Sequence, residues 1–116
     1  MFEVTVAPAR DPNAYAALVR EIGEDGACEV RAVFWSETCA RLQLFRTLPR
    51  EQHHARIVRE AHSLKSAAGT FGYVRLAALA LRLETSTERL GEAEFHDLLD
   101  LMDAAYAAAR AQESRD

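Results

Sequence analysis

Ala61-His62-Ser63-Leu64-Lys65-Ser66-Ala67-Ala68-Gly69-Thr70-Phe71-Gly72 is the stretch on which the fold of this chain turns. Together with Ile57, its residues Ala61, Leu64, Ala68 and Phe71 recur at alternating steps of four and three, the spacing of a helical stripe that faces other helices. At about 100° per residue, His62 points roughly 140° away from the centre of that stripe, so it faces out. Its neighbours one turn away are Arg59, Lys65 and Ser66, with Gly69 two turns on. A single polar residue on a helix surface ordinarily needs no explanation, but these surroundings ask for one. Lys65 is the only lysine in the chain. Glycine inside a helix costs about 1 kcal/mol relative to alanine, so Gly69 needs a compensating role such as the close approach of another surface.

Outward from this stretch the chain divides into further helices. Asp11-Pro12 is a helix start, with Asp as N-cap and Pro in the first turn. That helix is expected to run to about residue 22, with Tyr15, Leu18, Val19 and Ile22 on one face, before a turn marked by Gly23 and Gly26. Residues 28–48 hold no proline or glycine, and Val30, Val33, Phe34, Trp35, Leu42, Phe45 and Leu48 predict a long core helix. Phe34 and Trp35 are adjacent, so one of them belongs at the rim, packed against the first helix or joining an apolar docking surface. Pro49 ends this helix. Arg50 opens the one that carries His62, which stops around Gly69 to Gly72. The next spans about 73–90, with Leu76, Leu79 or Ala80, Leu83 and Leu90 inward. Gly91 ends it, and the last runs from Glu92 to about residue 112 on Phe95, Leu98, Leu99, Met102 and Tyr106.

These patterns predict an all-α fold, an antiparallel up-and-down four-helix bundle with a short extra N-terminal helix as a cap. The length of 116 residues sets the scale at a single domain, 1–116. Phe2, Val4 and Val6 alternate with polar residues, and 1–10 reads as an arm lying on that domain. Residues 113–116 read as a frayed tail.

The run AHSLKSAAGTFG, with the apolar spacing through Leu76, Leu79, Leu83 and Glu84, resembles the histidine phosphotransfer (HPt) domains of bacterial multistep phosphorelays. The match places the family's histidine at His62, a leucine at Leu64, the lysine at Lys65, a small residue at Ser66 and a glycine at Gly72. It departs at Ser66, where many members have glycine, and it covers about residues 25–90. The resemblance implies that His62 accepts and donates a phosphoryl group and that the partner is a response-regulator receiver domain, alone or in a hybrid histidine kinase. That partner would supply the aspartate and the Mg²⁺.

The residues themselves fit that chemistry. A neutral imidazole is a competent nucleophile near neutral pH. The charge of a phosphoryl group in flight is spread over three oxygens, so its transfer depends on positioning and electrostatics. Lys65 is placed to contact those oxygens. Arg59, Ser66 and Gly69 are candidates for partner docking and close approach. The sequence has no Gly-rich nucleotide loop and no aspartate constellation for Mg²⁺, so no cofactor and no self-phosphorylation from ATP is expected. The chain reads as a carrier rather than an enzyme. The alternative is an interaction module whose same face binds a receiver or kinase without taking phosphate.

Other classes are disfavoured. The formal net charge is −4, with acids and bases interspersed and no extended basic stripe for nucleic acid. Cys28 and Cys39 are too far apart for a disulfide along one helix and unlike a CxxC pair, and they read as small core residues. His53, His54 and His96 lack the spacing of a metal site. The N-terminus shows no basic segment leading into an apolar run, and no stretch is apolar enough to span a bilayer. The expectation is a cytoplasmic monomer.

Overall fold

The computed structural model describes residues 10–115, which form four helices and, among the described residues, no strand. They are α1 (Pro12–Thr47), α2 (His54–Phe71), α3 (Val74–Ser86) and α4 (Glu92–Arg115). Each packs on the helix that follows it, and α1 also packs on α4, around one shared apolar core. The arm expected over 1–10 lies outside the described residues except for Arg10.

Asp11 caps α1 as its sequence implies. Its side chain accepts a hydrogen bond from the Asn13 N–H at 3.0 Å, with Pro12 in the first turn. The glycine-marked turn is tighter than expected: within α1 only Gly23 leaves helical dihedrals, at φ 84° and ψ 164°, and Gly26 is already helical. The helix ends one residue before the sequence expectation. Leu48 is extended at ψ 130°, as the ring of Pro49 demands of the residue before it.

The buried positions of α1 are Ala27, Phe34, Thr38, Leu42 and Phe45. Val33, next to Phe34 and thus rotated by about 100° from it, is 54% exposed, and Val30 is also exposed. Cys28 and Cys39, expected in the core, are exposed as well. Phe34 is the inward aromatic, 5.3 Å between ring centroids from Tyr73 and 5.1 Å from Phe71. Trp35 takes the rim, where it packs on Tyr73 and Tyr106, so its partners lie at the start of α3 and on α4.

Thr38 is fully buried and its hydroxyl has no hydrogen-bond partner among the described residues. A buried hydroxyl left unpaired costs about 1–3 kcal/mol in desolvation. Thr38→Val keeps the shape and removes that cost, so the variant is expected to gain about 1 kcal/mol in urea unfolding. A loss of similar size would show that the hydroxyl is satisfied.

Residues 50–53, expected as the first turn of α2, form a turn outside it, and α3 stops at Ser86, short of residue 90. Arg50 accounts for both differences. Its guanidinium lies 4.3 Å over the Phe95 ring, donates to the Leu90 and Thr87 carbonyls at 2.8 and 3.2 Å, and pairs with Glu92. It closes this end of the bundle by satisfying carbonyls that the end of a helix leaves without an intrahelical donor.

The opposite end is closed by Glu113, which accepts hydrogen bonds from the Tyr73 hydroxyl at 2.7 Å, from Arg10 at 3.2 Å and from Arg31. Burial, then the bond to Glu113, pushes the Tyr73 phenol well above its ordinary value, so it stays a donor. These bonds explain why α4 continues to Arg115 where the sequence reads as a fraying tail from 113 onward.

Candidate functional site

The site begins with the apolar register of α2. Ile57, Ala61, Leu64 and Ala68 are completely buried, which leaves the side of the helix carrying His62 facing outward. The helix then stops abruptly. Gly72 adopts φ 79° and ψ 19°; its N–H bonds to Gly69 O at 3.1 Å, and the Tyr73 N–H bonds to Ala68 O at 2.9 Å. This is a Schellman ending, which a left-handed glycine makes accessible. Two residues later α3 has begun, folding back along α2.

The reversal brings Glu84 beside His62. The imidazole is 57% exposed, and its Nδ1 lies 2.9 Å from Glu84 Oε2. Lys65 Nζ lies 3.4 Å from the other carboxylate oxygen, Oε1, which is buried and has no hydrogen-bond partner of its own. Lys65 thus answers the charge of that oxygen without a well-formed hydrogen bond. One turn from His62, it leans across the α2–α3 seam, drawn by this carboxylate.

Burial pushes the Glu84 carboxyl up, but the hydrogen bond with His62 and the nearby Lys65 ammonium outweigh it and hold it below the ordinary carboxylate range. Because the folded value is depressed, whatever this cluster adds to stability is present above the ordinary carboxyl range. It is lost as pH falls through the depressed value. At neutral pH Glu84 is therefore an acceptor only, and the proton between the two groups sits on His62 Nδ1. A neutral imidazole held in that tautomer carries its free lone pair on Nε2.

Of the other candidate residues, the structure brings none into this cluster. Arg59, Ser66 and Gly69 are exposed. A Cβ built on Gly69 meets nothing within 4 Å, so nothing among the described residues requires glycine there. Two of the three remaining histidines are engaged elsewhere: His54 Nε2 is 3.3 Å from Glu88, and His96 Nδ1 is 2.9 Å from the Glu92 carbonyl, while His53 precedes the first turn of α2 with no side-chain cap bond. No group of three metal-ligating side chains occurs among the described residues, and no helix there is long and apolar enough to cross a membrane.

Glu84 is the site residue that reading the sequence missed. The signal for it was available: His62 and Glu84 each stand eleven residues from Tyr73, so a tight reversal at that point sets them opposite one another.

Comparisons with curated proteins and with solved structures found no match. A family model for the Hpt domain matches residues 29–112, a span that contains the whole α2–α3 hairpin with His62, Lys65 and Glu84. The chain therefore belongs to the Hpt family, the histidine phosphotransfer domains of phosphorelay signalling.

Proposed function

We propose that this protein carries a phosphoryl group on His62 to and from receiver-domain aspartates in a two-component phosphorelay. The observation that supports this most directly is an exposed imidazole whose Nδ1 is held by Glu84 at 2.9 Å, leaving Nε2 without a hydrogen-bond partner among the described residues. The lone pair on Nε2 attacks the phosphorus of an aspartyl phosphate, forming an N–P bond as the acyl O–P bond breaks. The aspartate carboxylate leaves with the bonding electrons. The ring becomes positively charged, and Glu84 stabilises it through the Nδ1–H bond. Running the steps backward returns the group to an aspartate.

Lys65 has a second role here. Its ammonium rests against Glu84 and is one helical turn from His62, within reach of the phosphoryl oxygens once they arrive. Ser66 and Gly69 leave the approach open, and Arg59 stands at its edge. The Mg²⁺ that phosphoryl transfer uses is expected from the receiver, since the sequence carries no Gly-rich nucleotide loop and no aspartate constellation for the ion. The protein acts as a phosphoryl carrier, a single cytoplasmic domain working as a monomer. Its helices read as an antiparallel up-and-down bundle in which residues 12–22, ahead of Gly23, serve as the extra N-terminal helix. Pairs such as Arg41–Glu60 and Arg46–Asp100 favour that order, since residues later in α1 meet residues earlier in α2 and α4.

Incubation with a phosphorylated receiver domain, followed by acid and base treatment, tests the reading. Acid-labile, base-stable phosphate on this chain is the expected result. A stable complex that never yields the label would select the interaction module instead. Lys65→Ala is expected to slow transfer about tenfold or more at saturating receiver while leaving helix content unchanged. Unchanged transfer would remove Lys65 from the chemistry.

A further inference from the structure

Charge is distributed unevenly over the bundle. Residues 54–89, which span α2 and α3, hold six basic side chains against three carboxylates, whereas 92–115 hold two against six. All three carboxylates of the first group are engaged: Glu60 with Arg41 at 2.9 Å, Glu84 with His62 and Lys65, and Glu88 with His54. Four of the bases are not. Arg56, Arg59, Arg82 and Arg89 make no side-chain ion pair, hydrogen bond or ring contact among the described residues. On the helical period Arg56 and Arg59 stand on the edge of α2 away from α3, and Arg82 on the edge of α3 away from α2, while Arg89 lies in the turn that follows α3. The unpaired cations thus frame the seam that holds His62.

The centre of that frame is neither charged nor bulky. Ser63, Ser66 and Gly69 are exposed on α2, and Val74 and Leu81 on α3 are 37% and 45% exposed. A small and apolar centre inside a charged rim is the anatomy of a protein interface. A polyanion would be met by a continuous basic stripe, which the intervening carboxylates and apolar residues break up.

We infer that the face around His62 docks a receiver surface carrying an excess of carboxylates around its phosphorylated aspartate. The four arginines steer it, and the acidic α4 disfavours approach from the other side. This rests on the carrier reading and specifies the partner's chemistry. Complementary charge acts mainly on the rate of encounter, and it is screened over about 8–10 Å at ordinary salt.

Stopped-flow or quench-flow transfer from the acetyl phosphate-loaded receiver domains of the source organism tests this. For the receiver that reacts fastest, the second-order rate constant is expected to fall about tenfold or more between low and high salt. Arg56→Glu combined with Arg59→Glu should lower it about tenfold at low salt and much less at high salt, with the first-order rate at saturation unchanged. Asp97→Lys on α4 should change it less than twofold. Rates that ignore both salt and the arginine reversals would overturn the inference while leaving His62 a carrier. Salt-sensitive, arginine-dependent binding of the His62→Gln protein to the same receiver, with no label ever reaching the parent, would support the docking face and sink the carrier reading. Duplex DNA binding with the same arginine dependence would overturn the choice of partner.

Discussion

His62→Gln is expected to reduce acid-labile, base-stable phosphate to background when the protein meets a phosphorylated receiver. Glutamine matches the imidazole roughly in reach and can still donate an amide N–H to Glu84, but it has no ring nitrogen to form the N–P bond. The fold should not register the change. The His62 side chain is 57% exposed and its apolar neighbours Ala61 and Leu64 are untouched, so unfolding should move by about 0.5 kcal/mol or less. Loss of label with an intact melt therefore isolates chemistry from structure. The other histidines offer no rescue by the same geometry, because His54 presents Nε2 to Glu88, His96 is turned to a carbonyl of its own helix, and His53 has no carboxylate on its ring among the described residues. Label that persists in the variant would move the acceptor away from His62 and end the carrier reading at this site.

What could be read from the sequence and what could not divide along a physical line. The stripe Ile57, Ala61, Leu64, Ala68, Phe71 and its stops at Pro49 and Gly72 are local signals, and they placed the exposed histidine before any packing was known. The apolar run of α1 is locally ambiguous. Ala27, Phe34, Thr38, Leu42 and Phe45 make a narrow stripe, and Val30, Val33 and both cysteines fall outside it although they are as apolar as their neighbours. Only the direction from which α2 and α4 approach decides between them. The remaining surprises are all long-range. Arg50 and Glu113 close the two ends through partners tens of residues away, which is why α2 begins late, α3 ends early and α4 continues to Arg115. Glu84 belongs to the same class. Its role depends on the register of α3 against α2, set by a two-residue turn.

That turn is also where a single methyl group should cost the most. Gly72 is fully enclosed at φ 79°, and the start of α1 lies directly on it: the Asp11 N–H donates to Gly72 O at 2.6 Å. A Cβ at this position would run into the Asp11 carbonyl and stand 2.7 Å from the Ala14 side chain. Gly72→Ala therefore combines two costs. One is left-handed strain, about 1–2 kcal/mol for an L-residue. The other is a clash with backbone, which no rotamer relieves and which adds about 1–3 kcal/mol as overpacking. The expected total is about 3–4 kcal/mol in urea unfolding, against a typical domain stability of 5–15. A loss of only about 1–2 kcal/mol would equal the left-handed strain alone and would mean that the start of α1 does not sit on the α2–α3 turn. A loss of about 3–4 kcal/mol would establish that it does, and that the turn presenting His62 opposite Glu84 is braced from the N-terminal side.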